Sequence, residues 1–152
     1  MLGVNIQKYD LRLVKESGNR YKFKNKVVKT PEKAYQIFVE TLELNIRTEE
    51  VFAILTLDLK SHLTGVFEVS KGGLKSSIVH PRNVYQRAIL TNAAAIVMGH
   101  NHPSGKPDPS EDDIKITKQI ISAGEILGIE VMDHLIIGAN YNYISMKAQE
   151  VI

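Results

Sequence analysis

The chain has 152 residues and no cysteine. That excludes disulfides and every zinc site built on thiolates, and it suits a reducing compartment such as the cytoplasm. Any metal bound here must be held by histidine and carboxylate. Long apolar runs are also missing: no window approaches the roughly 20 apolar residues of a membrane-spanning helix, so no membrane association is expected. The stretch from Met1 to Gln7 has no basic segment leading into a long apolar one, so no signal peptide is expected. No internal repeat or low-complexity tract is visible. Charge of one sign is scarce as well, with a net of only +2, but it is unevenly spread. Residues 8–29 carry eight Lys/Arg against Asp10 and Glu16, so a basic stretch precedes a mildly acidic body.

What is present is an ordinary globular balance, 43% hydrophobic and 24% charged residues, at a length that fits one domain with a real core. Residues 1–30 read as a basic N-terminal β-hairpin: Leu11 and Leu13, then Tyr21 and Phe23, alternate with polar residues on either side of Ser17-Gly18-Asn19. The domain proper covers residues 31–152. A helix is expected from Pro31, capped by Thr30, to about Leu44, with Ala34, Ile37, Phe38 and Leu42 on one face. Strands follow at Val51–Leu57 and from Leu63 to Val69, then a short one from Ser76 to Val79. Pro81 opens a helix to about Asn92, and Ala93 to Gly99 reads as a buried strand. Asn101 to Pro109 holds three prolines and a glycine and reads as a loop. A long helix from Glu111 to Leu127, stopped by Gly128, and strands at Ile129–Ile137 and Asn142–Met146 complete a mixed α/β order, a sheet with helices packed on it.

The chemistry is concentrated between Gly99 and Asp113. In extended backbone, residues i and i+2 point to one side, so His100 and His102 can aim two imidazoles at one point. The Pro/Gly loop turns the chain back, and Asp113, in the first turn of the next helix, can add a third, anionic ligand. Two histidines and one carboxylate leave a fourth tetrahedral position for water, as in catalytic zinc sites. Zinc lowers the pKa of such a water to about 7. A His-x-His pair alone is weak support for a metal, and Ser110-Glu111-Asp112-Asp113 is also a good helix start, with Ser110 as cap and Asp113 reaching back. The two readings of Ser110 are compatible. His134, beside Asp133, reads as a half-buried sheet residue, the alternative being a partner to a metal ligand. His80 reads as a helix-entry residue and His62 as exposed. Lys22, Lys24 and Lys26 give one strand face a basic character. The preferred reading is an edge strand guarded by lysine; nucleic-acid binding is the alternative.

The whole string, His100-x-His102-Pro103, a short loop, then Ser110-x-x-Asp113, resembles the JAMM motif of the JAB/MPN metalloproteases. His-Asn-His-Pro-Ser-Gly at residues 100–105 and Asp-His-Leu-Ile-Ile-Gly at 133–138 are similar to its RadC-like branch. The resemblance covers roughly residues 30–152. It implies a three-layer, cytidine-deaminase-like α/β fold with a central sheet flanked by helices. It implies one zinc per chain on His100, His102 and Asp113, with Ser110 holding the bound water or steadying an oxyanion. Glu50, just ahead of Val51-Phe52-Ala53, matches the family's catalytic glutamate, and Glu49 is its neighbouring competitor. The implied activity is hydrolysis of peptide or isopeptide bonds in a peptide or protein substrate. RadC-like proteins usually carry a helix-hairpin-helix segment upstream, where this sequence has the basic stretch. A DNA-binding protein linked to repair or mobile elements, with zinc structural or nucleolytic, is the alternative.

Overall fold

The computed structural model describes residues 6–8, 10–16, 18–72 and 79–152. Four helices, one of them a single 3₁₀ turn, and five strands alternate along them. Helix α1 (Pro31–Leu42) starts as its cap demands: the Thr30 hydroxyl accepts from Lys33 N–H at 3.3 Å and Pro31 takes the first turn. It stops at Leu42 rather than near Leu44, because Glu43 enters the left-handed region at φ 55° and a 3₁₀ turn, Leu44–Ile46, then buries Leu44. Strands β1 (Val51–Leu57) and β2 (Leu63–Lys71) form an antiparallel pair. Helix α2 (Pro81–Leu90) is capped by His80, whose ring nitrogen accepts from Arg82 N–H at 3.1 Å, the entry role expected for it. Strand β3 (Ala95–Asn101), helix α3 (Glu111–Leu127), β4 (Glu130–Ile137) and β5 (Tyr143–Ser145) complete the order. The short strand expected from Ser76 to Val79 lies, apart from Val79, outside the described residues.

The sheet runs β2-β1-β3-β4-β5. Only β3 and β4 are parallel, and α3 is the connection between them. β1 and β3 occupy the middle and are buried along their whole length, as strands with helices on both faces must be. Their alternation divides the core. Val51, Ala53, Leu55 and Leu57 face α1 together with Ala95 and Val97, and they pack on Ile37 and Phe38. Phe52, Ile54, Ile96 and Met98 face the opposite way, onto Val84 and Ala88 of α2 and Ile120 of α3. The result is the three-layer α/β domain that the motifs imply. Gly99 falls on the α1 face, where any Cβ would sit 2.6 Å from the Phe38 ring. That glycine lets α1 close over the strand one residue before His100.

β3 is shifted from its expected span: it begins at Ala95 and continues to Asn101. Ala94 belongs to the turn, its N–H donating to Leu57 O at 2.8 Å. At the other end the pairing Phe52↔His100 on one side and Asn101↔Ile137 on the other keeps the chain in the sheet. His100 is therefore a strand residue, held by neighbours on both flanks.

Residues 1–5, 9 and 17 of the expected N-terminal β-hairpin lie outside the described residues, and the described residues among 6–26 contain no strand. Leu11 and Leu13, expected to supply its apolar face, are 81% and 54% exposed. An isolated hairpin is marginal in water without a surface on which to bury its apolar side, and this stretch has none beneath those leucines. Tyr21 and Phe23 stack at 6.0 Å between ring centroids, and Phe23 packs against the edge of the core with the Lys33 ammonium 4.1 Å over its ring. The chain joins the body at Val27, which bridges to His62, and at Val28, whose N–H donates to Ser61 O at 2.9 Å. No helix among the described residues is long and apolar enough to cross a membrane.

Candidate metal centre

The parallel pair β3–β4 and its crossover helix make the kind of crevice in which α/β sheets bind ligands, outside the carboxyl ends of the strands. His100 lies at that end of β3, on the face turned to α3. His102 continues the alternation: its N–H still donates to Ile137 O at 2.9 Å, so it follows the sheet edge although the strand has ended. The loop then doubles back through Gly105 at φ 83°, whose carbonyl accepts from Ala139 N–H at 3.1 Å. A Cβ on Gly138 would meet that carbonyl at 2.5 Å, so the loop can be tied down only over a glycine. α3 begins with a full capping box. Ser110 Oγ accepts from Asp113 N–H at 3.1 Å, and Asp113 Oδ2 accepts from Ser110 N–H at 2.8 Å. This reciprocal pair holds the Asp113 carboxylate over the positive end of the helix and turns it toward the histidines.

The three expected ligands converge. His100 Nε2 lies 2.9 Å from His102 Nε2 and 3.1 Å from Asp113 Oδ1, and His102 Nε2 lies 3.3 Å from Asp113 Oδ2. Four-coordinate zinc with bonds of about 2.0–2.1 Å to nitrogen holds its ligand atoms roughly 3.3 Å apart, close to this triangle. His100 and Asp113 are fully buried and His102 is 16% exposed, so the group is open on one side. His102 donates from Nδ1 to the Lys106 carbonyl at 2.8 Å. A carbonyl can only accept, so in neutral His102 the lone pair is on Nε2 and points into the triangle. Two imidazole nitrogens and a carboxylate directed at one point repel one another unless a proton or a cation lies between them. The donor set fits a metal: His100, His102 and Asp113 form a group that could hold one.

Electrostatics agree. Burial pushes the Asp113 carboxyl upward, but hydrogen bonds from His100, His102 and the Ser110 N–H outweigh it and hold the group well below the usual carboxylate range. The Asp113 carboxylate raises the His102 pKa against the opposing effect of burial, with smaller contributions from Lys106 and from the charge of Glu50.

Glu50 precedes β1. With Phe52 opposite His100, the register carries Glu50 to the level of His102. It is half-buried, and among the described residues its Oε1 has no hydrogen-bond partner. Glu49 is exposed. Asn101 and Thr117 escaped the sequence reading, and His134 entered it as a metal-ligand partner only as the alternative. Asn101, buried between the two histidines in sequence, turns the other way: its Oδ1 accepts from Val51 N–H at 2.8 Å and its amide donates to Glu49 O at 3.0 Å. It pins the backbone that carries Glu50. Thr117, four residues after Asp113 and so on the same helix face, places its hydroxyl 2.6 Å from His134 Nδ1. His134 is not the half-buried sheet residue expected: it is fully buried, with Nε2 2.8 Å from His100 Nδ1 and its ring edge-on to Phe52. Burial, then the neighbouring His100, lowers its pKa well below the ordinary histidine value. The Asp113–Thr117 spacing could also have been read in advance. His62 is exposed as expected, and pairs with Asp58 at 3.1 Å.

Residues 28–151 match the family described as "RadC-like JAB domain". Among curated proteins, the chain is 45% identical over 129 residues to a UPF0758 protein of Syntrophomonas wolfei subsp. wolfei, covering 84% of this chain and 54% of that one. It is 43% identical over 141 residues to a UPF0758 protein of Alkaliphilus oremlandii, covering 90% and 60%. A UPF0758 protein of Desulfitobacterium hafniense is 42% identical over 126 residues, covering 83% and 54%. The chain thus spans between half and two thirds of the length of these relatives. The match begins where the basic stretch ends and takes in every residue from the sheet edge at Val28 through His100, His102, Asp113 and His134. This chain belongs to the RadC-like JAB domain family.

Proposed function

We propose that the protein is a zinc-dependent hydrolase that cleaves peptide or isopeptide bonds, with one zinc on His100, His102 and Asp113. The observation that carries this reading is the convergence of two imidazole nitrogens and a buried carboxylate within 3.3 Å of one another, with the His102 lone pair turned inward by the Lys106 carbonyl. When bound, zinc supplies Lewis acidity and a water of lowered pKa at the fourth position. Glu50 is the general base: its unpartnered Oε1 takes the proton of the attacking water and passes it to the leaving amine. Asn101 fixes the backbone around Glu50, so the carboxylate is aimed before substrate arrives. Ser110 serves twice, capping α3 through its Oγ lone pair and offering its hydroxyl proton to the developing oxyanion. A peptide would approach extended along the sheet edge, where backbone groups can pair with it. A cytoplasmic setting, in keeping with the absence of cysteine, belongs to the same reading.

Glu50→Gln tests it. The amide keeps the shape and cannot take a proton, so turnover of a peptide or isopeptide substrate should fall by about 10²–10⁴ while zinc stoichiometry stays unchanged. Full activity in the zinc-loaded variant would remove Glu50 from the mechanism.

A further inference from the structure

Behind His100 runs a chain of three hydrogen bonds that ends on the backbone of Asp113, the residue whose carboxylate His100 also faces. The Asp113 carboxylate faces His100 Nε2 at 3.1 Å; His100 Nδ1 meets His134 Nε2 at 2.8 Å; His134 Nδ1 meets Thr117 Oγ1 at 2.6 Å; and Thr117 Oγ1 donates to the Asp113 carbonyl at 2.6 Å. Every link is buried. Proton counting gives the chain a direction. Threonine has one hydroxyl proton, and the Asp113 carbonyl can only accept it; Met146 Sδ, at 3.8 Å, is a far weaker acceptor. With that proton committed, Thr117 must accept from His134 Nδ1–H. Neutral His134 then has its lone pair on Nε2 and must accept from His100 Nδ1–H. The remaining lone pair of His100 is on Nε2, inside the triangle.

Resting on the metal reading above, we propose that His134 and Thr117 are positioning residues that set the tautomer of His100 and so determine how tightly the site holds zinc. His102 obtains the same result by a single bond to the Lys106 carbonyl. His100, deep in the sheet, meets His134 with its Nδ1 instead and reaches a carbonyl through two intermediaries, His134 and Thr117. The partner of a metal-bound histidine is usually a carboxylate or a carbonyl; here an imidazole takes that place, and it accepts only because Thr117 fixes its own proton. The arrangement also couples the ligands: the Thr117 hydroxyl bonds to the backbone of the residue whose side chain completes the triangle, so a shift of α3 is felt at both His100 and Asp113.

The test is the zinc dissociation constant, measured by competition with a chromogenic chelator, for the full chain and for His134→Phe, His134→Gln and Thr117→Val. Circular dichroism melts establish that each is folded at the assay temperature. His134→Phe keeps a ring and loses the acceptor, so its dissociation constant should rise about 10–100-fold. His134→Gln can present its amide oxygen to His100 Nδ1–H and should stay close to the parent value. Thr117→Val keeps the volume but releases the His134 tautomer, and should weaken zinc by about tenfold. Long-range ¹H–¹⁵N spectra of the zinc-loaded parent should show His100 protonated on Nδ1. If the parent binds zinc and both His134→Phe and Thr117→Val, folded, bind it equally well, the relay has no bearing on the site and the inference is wrong while the metal reading stands. If the parent binds no zinc, the metal reading fails and takes this inference with it. If His134→Phe fails to fold, Thr117→Val and the spectra decide alone.

Discussion

Lys22, Phe23 and Lys24 alternate as a half-buried strand would, and Ile96, Val97 and Met98 form an unbroken apolar run, yet only the second set lies in a strand. The difference is what each stretch has to lie against. β3 has a paired strand on either side and a helical layer on each face, so both sets of alternating side chains are buried and its backbone groups are bonded. The basic stretch offers Leu11 and Leu13 to water, and among the described residues Phe23, Lys26, Val27 and Val28 meet the body. Alternation is thus a statement about which side chains share a side; it becomes a strand only when a partner edge and an apolar surface are there to use it. The same contrast governs charge. Lysines of the basic stretch are solvated point charges, whereas Asp113, fully buried, stays ionised because two imidazoles and a helix N-terminus hold it so.

Breaking the better-supported region should cost most. Phe38→Ala removes the ring that packs on Gly99, and it should destabilise the protein by about 3–5 kcal/mol in urea unfolding. A cost below about 1 kcal/mol would mean that α1 does not hold β3 in place. A smaller effect is expected from pH. In the metal-free chain the His102 pKa is raised, chiefly by Asp113, so the folded state binds this proton more tightly than the unfolded chain. Its contribution to stability is fully present below the ordinary histidine pKa and is lost as pH rises through the folded value. Zinc needs His102 neutral, so zinc affinity should run the opposite way, weakening about tenfold, or 1.4 kcal/mol, for each unit that pH falls below the folded His102 pKa. Zinc titrations at several pH values check the slope; a flat profile would mean that His102 is not a ligand. The smallest effect belongs to the basic stretch. Replacing Lys22, Lys24 and Lys26 by alanine should change stability by less than about 0.5 kcal/mol and leave zinc binding unaltered. The same variant sharpens the comparison by gel shift at low salt: DNA binding by the parent that is lost in the variant would give the stretch a partner of its own and revive the nucleic-acid reading.

Much of this molecule was legible from its residues. Caps at Thr30 and Ser110, prolines at 31 and 81 and the stop at Gly128 mark their helices to within a residue or two, because those signals are local. The meeting of His100, His102 and Asp113 was legible for the same reason: i, i+2 alternation and a helix start, joined by a short loop. Asn101 and the depth of His100 and His134 were not. They depend on where β3 lies relative to β1 and β4, and long-range register leaves no mark in a local window. Asn101 in particular lies between two histidines and works for Glu50, 51 residues earlier, through the backbone of Val51 and Glu49.

Whether His100, His102 and Asp113 hold a metal is tested most directly by the metal content of the purified protein, measured by elemental analysis beside a His100→Ala/His102→Ala variant. The account predicts about one zinc per chain in the parent and essentially none in the folded variant. A parent without metal even after incubation with zinc, or a variant that keeps it, would contradict the account and leave the triangle a proton-sharing cluster of the core.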